Sequence, residues 1–205
     1  MTASTVHLTE AEISLRLAQS RKNPTQVVER FPPDFFSEPP RPAAVLIPLL
    51  RANTAWQVLY TRRTATLPEH SGQVAFPGGR ADPEDSSPVA TALREASEEI
   101  GLLPKDVRIL GQLPVLPTIT NYAVTPVVGV LPWPYPLCLA PSEVSRVFTI
   151  PLAWLADPAN RSIRQRTLPP PYEPVSVIFF ECYDGEVLWG VSAQITLNLL
   201  QALQL

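Results

Sequence analysis

Cysteine, histidine and basic charge are all scarce in this 205-residue chain: it has two cysteines, two histidines, and 16 lysines and arginines against 19 acidic residues, for a net charge of −3. Cys138 and Cys182 lie far apart and neither has a C-x-x-C partner. Neither a disulfide framework nor a structural zinc site is therefore indicated, and both thiols are expected to be inert core or half-buried groups. The acidic balance, with a pI near 5.4, removes the broad attraction that sequence-independent binding to a phosphate backbone needs, so nucleic acid is not expected as a partner. No stretch approaches the roughly 20 apolar residues that span a bilayer, and the start shows no basic segment followed by an apolar run. These absences lead to the expectation of a cytoplasmic protein with no membrane partner. His70 has no Gly-x-Ser-x-Gly turn to work with and is expected to be a structural hydrogen-bonding residue.

What the chain does have is apolar mass and proline. Apolar residues make up 45% of it and its mean hydropathy is +0.07, enough for a sizeable core. The 25 prolines cluster at Pro32-Pro33, Pro39 to Pro42, Pro132 to Pro136 and Pro169 to Pro171, which marks long, stiff connections. Thr9 and Glu12 form a capping box, with Leu8 and Ile13 spaced as a hydrophobic staple, and predict a helix to about Ser20. Residues 1–42 are expected to form this helix and a Pro-rich arm, and residues 43–205 the main domain.

Within that domain, residues 43–50, 56–60, 107–113 and 124–131 are short aliphatic and β-branched runs bounded by Pro, Gly or Asn, hence strands. Residues 176–183 and 186–189 flank Asp184-Gly185, a preferred dipeptide of tight turns, and are expected to pair as a hairpin. Ser87, Pro88 and Gly101 supply the cap, first position and stop of a helix over about 88–100, with Val89, Leu93, Ala96 and Ile100 on one apolar stripe. A last helix from Ser192 buries Ile195, Leu199 and Leu203. Strands on both sides of one central helix argue for an α+β or mixed-sheet sandwich.

The central helix also carries Glu95, Glu98 and Glu99, three carboxylates within an arc of roughly 100° on a polar face. They repel one another, and Glu98 and Glu99 sit in the last turn, where the helix dipole is unfavourable to negative charge. Arg94 pairs with Glu98 at i+4, but one guanidinium does not neutralise three carboxylates. A hard divalent cation with oxygen ligands does. Upstream, Gly78 and Gly79 follow Phe76-Pro77 and let backbone approach a ligand closely.

The pattern Gly79 … Arg94-Glu95-Ala96-Ser97-Glu98-Glu99-Ile100-Gly101-Leu102 resembles the Nudix box, with one residue more between Gly79 and Arg94 and with Asp82 and Asp85 as the nearest acids where the box has a Glu. The run Thr61-Arg62-Arg63-Thr64 … His70-Ser71-Gly72-Gln73-Val74-Ala75-Phe76-Pro77-Gly78-Gly79 is similar to the segment preceding the box in coenzyme A diphosphatases, with weaker likeness through Val124 to Val130, Glu143-Val144 and Trp189-Gly190. Tyr60, Thr64 and Pro68 depart from that pattern, Pro68 standing where an Arg is usual. The resemblance implies a Nudix-type α/β/α sandwich with a mixed β-sheet. It implies a Mg²⁺- or Mn²⁺-dependent diphosphohydrolase in which Glu95, Glu98 and Glu99 hold the metal, Glu95 also serves as proton acceptor and Arg94 orients them. Arg62, Arg63, Gly78 and Gly79 are the expected substrate contacts, Glu143 a further candidate acid, and Arg161, Arg164 and Arg166 a later basic group. Coenzyme A, split to 4′-phosphopantetheine and adenosine 3′,5′-bisphosphate, is the leading substrate. ADP-ribose, a dinucleotide or a nucleoside triphosphate remains the alternative, and a non-catalytic metabolite-binding module is the reading from another class.

Overall fold

The computed structural model describes residues 6–22, 36–65, 71–167 and 174–205. His70, Pro68 and Pro169 to Pro171 lie outside them, as does most of the arm.

The capping box forms as read: Glu12 accepts from the Thr9 amide at 2.7 Å and the Thr9 hydroxyl accepts from the Glu12 amide at 3.2 Å. It opens α1 (Glu10–Lys22), whose Ile13 and Leu17 are fully buried. α1 packs on the strand Arg108–Gln112 and on the last helix, fastened by Arg108 to Glu10 at 2.6 Å and by the Trp56 indole N–H to the Leu8 carbonyl at 2.7 Å.

The main sheet is built from β1 (Arg41–Ala52), β2 (Ala55–Arg63), β3 (Val74–Ala75), β4 (Gly78–Arg80), β5 (Arg108–Gln112), β6 (Leu116–Pro117), β7 (Tyr122–Val130) and β8 (Val144–Pro151). Its central path runs β3-β2-β1-β7-β5, with β4 also on β1, β6 on β7 and β8 on β2. β1 and β7 are parallel and the other pairs antiparallel, so the sheet is mixed. In β1 the residues alternate between two cores: Ala44, Leu46 and Leu50 face the cluster under α2 (Pro88–Ile100), while Ala43, Ile47 and Leu49 join the cluster of α1, α3 (Leu152–Ala156) and α4 (Gly190–Ala202). A strand covered on both faces reads as a continuous apolar run, and this explains why residues 43–50 show no polar alternation. The expected α+β sandwich with a mixed sheet is the architecture found.

α2 has the predicted ends. The Ser87 hydroxyl caps Ala90 N–H at 3.2 Å, and Gly101 turns the chain at φ 69. Its buried side consists of Thr91, Ala92, Ala96 and Ile100 together with Glu99, so the three glutamates do not share one solvated polar face.

Two other expectations are corrected. Residues 186–189 form isolated bridges, Tyr183 with Glu186 and Phe179 with Trp189, because the partner of β10 (Val175–Phe180) is β9 (Arg161–Arg166). The Asp184-Gly185 turn is nevertheless real, with φ of 52 and 80. Both cysteines are exposed rather than core or half-buried. β8 and β9 are strands that the residue pattern did not reveal, since polar and arginine residues interrupt their apolar positions.

Candidate active site

The site is assembled where β4, β2 and α2 meet. β4 pairs with β1 through Gly78, Gly79 and Arg80. At Gly78 (φ +156) a Cβ would stand 2.4 Å from the Ala44 carbonyl oxygen, so only glycine allows the two strands to approach. At Gly79 a Cβ would fall 2.6 Å from the Glu95 carboxylate, which shows that Glu95 rests directly on this backbone. α2 therefore delivers its carboxylates against a glycine strand held flat by the sheet.

Arg94 organises one side. Its Nε and Nη2 donate to the two Asp85 oxygens at 3.2 and 3.0 Å, a bidentate pair. Nη2 also reaches the Arg80 carbonyl at 3.0 Å, while Nη1 lies 3.0 Å from both Glu95 and Glu98. Asp82 stands farther off at 3.6 Å and donates its amide to Asp85 at 3.0 Å. Asp85 is thus the partner of Arg94 that the box pattern left open. The hydrogen bonds from Arg94, reinforced by the Asp82 amide, hold the Asp85 carboxyl down at about 2.

The other side is only partly compensated. The Glu99 side chain is 4% exposed, and burial, aided by repulsion from Glu95, pushes its carboxyl up to about 8 despite the positive charge of Arg63 and the Gly78 amide. Burial likewise raises Glu95, against the pull of Arg94. Glu143 adds repulsion at both, so its carboxylate belongs to the same neighbourhood, where its backbone carbonyl accepts from Thr64 at 2.9 Å. Glu98 is 58% exposed and turned to Arg94. Among the described residues no three Asp, Glu, His or Cys side chains form a ready-made metal cage. The donors that could hold a cation are the oxygens of Glu95, Glu98, Glu99 and Glu143, and the buried Glu99, only partly offset by Arg63 and the Gly78 amide, is the feature that fits a hard divalent ion.

A cleft of about 770 Å³ opens beside this cluster, lined by Arg63, Gly78, Gly79 and Arg80 at one part and by Arg166 and Trp189 at another. The two adjacent arginines separate here. Arg63 enters the cleft, with its Nε buried and without an acceptor among the described residues. Arg62 pairs with buried Glu186 at 3.1 Å, an arrangement the sequence did not signal, because Glu186 was expected to lie on an ordinary hairpin strand. A bulge in the β2–β8 pairing falls between them.

Residues 39–169 of the chain match the NUDIX domain. The chain belongs to the Nudix family. It is 40% identical over 181 residues to the Nudix hydrolase NudL of Photorhabdus laumondii, covering 84% of this chain and 90% of that protein. It is 39% identical over 168 residues to NudL of Yersinia pestis, with 82% of each covered. Among solved structures, a MutT/nudix family protein from Enterococcus faecalis superposes with a TM-score of 0.52 at 15% identity, covering 96% of this chain and 74% of that one, which supports the fold. The protein is accordingly a Nudix hydrolase, an enzyme that cleaves phosphoric anhydrides of nucleoside diphosphate derivatives. Nudix hydrolases generally use divalent metal ions. No described helix is long and apolar enough to cross a membrane.

Proposed function

We propose that this Nudix hydrolase cleaves the diphosphate bond of coenzyme A or its derivatives, releasing 4′-phosphopantetheine and adenosine 3′,5′-bisphosphate. Glu99 carries the reaction type: a carboxylate that is 4% exposed, lacks a full counter-charge and stands beside a cleft with Arg63 is a site built for a cation and a phosphate. Glu95, Glu98 and Glu99 are the residues that would hold Mg²⁺ or Mn²⁺, with Glu143 as an additional acid. Such an ion supplies water activation and neutralises charge on the non-bridging phosphate oxygens.

The protein's own groups do the rest. Arg94, fixed by Asp85, restrains Glu95 and Glu98, so that the carboxylates are oriented before substrate enters. Glu95, lying on Gly79 with its affinity for protons raised by burial, is placed to accept one from the attacking water. Arg63 and the Gly78-Gly79 backbone line the wall where the diphosphate rests. Arg62 is held by Glu186 and supports the site from outside the cleft wall.

The coenzyme A assignment rests on the run from Thr61 to Gly79 that resembles coenzyme A diphosphatases and on a cleft large enough for a two-armed diphosphate. Turnover of CoA, ADP-ribose and NADH at one fixed Mg²⁺ concentration tests it. CoA should give the highest kcat/KM, and a clear preference for ADP-ribose or NADH would transfer the same chemistry to that substrate. Arg63→Ala should raise KM for the preferred diphosphate by roughly 10-fold, and Arg62→Ala by less.

A further inference from the structure

Away from the glutamates, the cleft is lined by Arg166 and Val175, which face each other across β9 and β10, and by Trp189, which precedes α4. We propose that Trp189 is the stacking platform for the nucleobase of the substrate and that Arg166 binds the phosphate carried on that nucleoside's sugar. This rests on the reading above that a nucleoside-containing diphosphate lies in this cleft.

The platform is fixed before anything binds. The Trp189 and Phe179 rings are 5.6 Å apart and within 6° of parallel, and the Arg164 guanidinium lies 4.3 Å over the Phe179 ring. Backbone pairing joins the same residues, with Phe179 bridged to Trp189 and the Phe180 amide donating to Leu188 at 2.8 Å. The segment leading to Trp189 is not part of a strand ladder, yet it is anchored to the main sheet. Glu186, 5% exposed, accepts from Arg62 and Arg146 at 3.1 Å each, and these two arginines are cross-strand neighbours on β2 and β8. Arg146 also bonds Asp184 in the turn. The ion network thus holds the indole in place, at little further entropic cost on binding.

The surroundings favour a flat group bearing an anion. A Cβ built on Gly190 would meet nothing within 4 Å, so there is room next to the indole. Val175, Val177 and Ile195 make the nearby wall apolar, and Arg166 is an exposed cation at its edge. A flexible aliphatic arm gains little from a preformed aromatic stack. A purine presents a π-face to it, and an attached phosphate meets the guanidinium.

The test compares wild type with Trp189→Leu, Trp189→Phe and Arg166→Ala. Kd is measured for ADP, inhibition for inorganic pyrophosphate, and kcat and KM for CoA and dephospho-CoA. Trp189→Leu should weaken ADP and raise KM for CoA at least about five-fold, with kcat changed much less and pyrophosphate inhibition intact. Trp189→Phe should recover most of the loss. Arg166 is exposed, so Arg166→Ala should fold normally and raise KM for CoA by roughly 10-fold while sparing dephospho-CoA. ADP binding that is the same in wild type and both Trp189 variants overturns the stacking role. So does an equal loss of pyrophosphate inhibition, which would make Trp189 a determinant of the fold. An equal effect of Arg166→Ala on CoA and dephospho-CoA overturns the phosphate contact. If CoA is not hydrolysed but ADP binding still depends on Trp189, the coenzyme A reading falls and the platform stands.

Discussion

Asp85, in the loop before α2 with its side chain 8% exposed, and Glu99, in the last turn of α2 and 4% exposed as a residue, have proton affinities that move in opposite directions. Asp85 receives a bidentate guanidinium and a backbone amide and is held at about 2. Glu99 has the Gly78 amide and the charge of Arg63, opposed by Glu95, Glu143 and burial, and is pushed to about 8. The difference separates a structural charge, neutralised within the fold, from a functional one that the fold leaves to be neutralised by something else. Burial raises both carboxyls, far more at Glu99, and only at Asp85 is the counter-charge complete enough to override it.

The largest expected effect comes from removing the functional charge. Glu99→Gln should lower kcat by at least ~10²-fold while making the metal-free protein more stable at alkaline pH. The folded carboxyl is raised from 4.5 to about 8, so between those values the folded state holds a proton that the unfolded state has released. The stability of the metal-free wild type therefore declines as pH rises from 4.5 toward 8, on the order of 2–4 kcal/mol, and the Gln variant lacks that decline. Glu98→Gln should lose comparable kcat without the alkaline stabilisation, because Glu98 is 58% exposed. Thermal melts of both variants with and without Mg²⁺, alongside kcat, check this. Near-normal activity of both would end the metal assignment.

A smaller loss is expected where the backbone supports the functional side. Gly79→Ala introduces a methyl group 2.6 Å from the Glu95 carboxylate, and the flexible side chain can swing away while the strand stays. We expect kcat to fall roughly 10-fold with Tm nearly unchanged. A Tm collapse instead would mean that Gly79 serves the strand pairing and not the placement of Glu95.

The two regions were not equally legible. α2 could be read to its last residue, since Ser87, Pro88 and Gly101 are local signals and the box spacing fixes Glu95, Glu98 and Glu99. The strands 43–50 and 124–131 were plain because both faces are buried and the runs are almost wholly apolar, Thr125 being the one polar side chain. The Arg94–Asp85 pair was not decided by spacing, because whether Asp82 or Asp85 reaches the guanidinium depends on how the loop turns. Burial of Glu99 also escaped helical periodicity, which places it with Glu95 and Glu98; it is covered by β4 and by the loop whose Ala140 amide bonds its carbonyl at 2.9 Å. The divergence of Arg62 and Arg63 follows from strand alternation and a bulge. The cleft wall at Trp189 depends on β9 pairing with β10, a contact between segments with weak strand patterns.

The smallest effect should come from the structural charge, and it has the opposite pH dependence. Asp85→Asn keeps the shape and one acceptor oxygen, and Arg94 retains Glu95, Glu98 and the Arg80 carbonyl as partners. The variant should lose a few degrees in Tm at neutral pH and less kcat than Gly79→Ala, because the carboxylates that Arg94 restrains remain in place. With its folded pKa lowered from 3.8 to about 2, Asp85 contributes stability that is fully present above 3.8 and disappears as pH falls through about 2. Wild type and Asp85→Asn should therefore converge in acid, whereas wild type and metal-free Glu99→Gln should diverge in alkali. Melting curves over a pH series resolve the two slopes in one experiment. An Asp85→Asn protein that melts with wild type at every pH would show that Arg94 is anchored by the glutamates instead, and the division between structural and functional carboxylates around α2 would no longer hold.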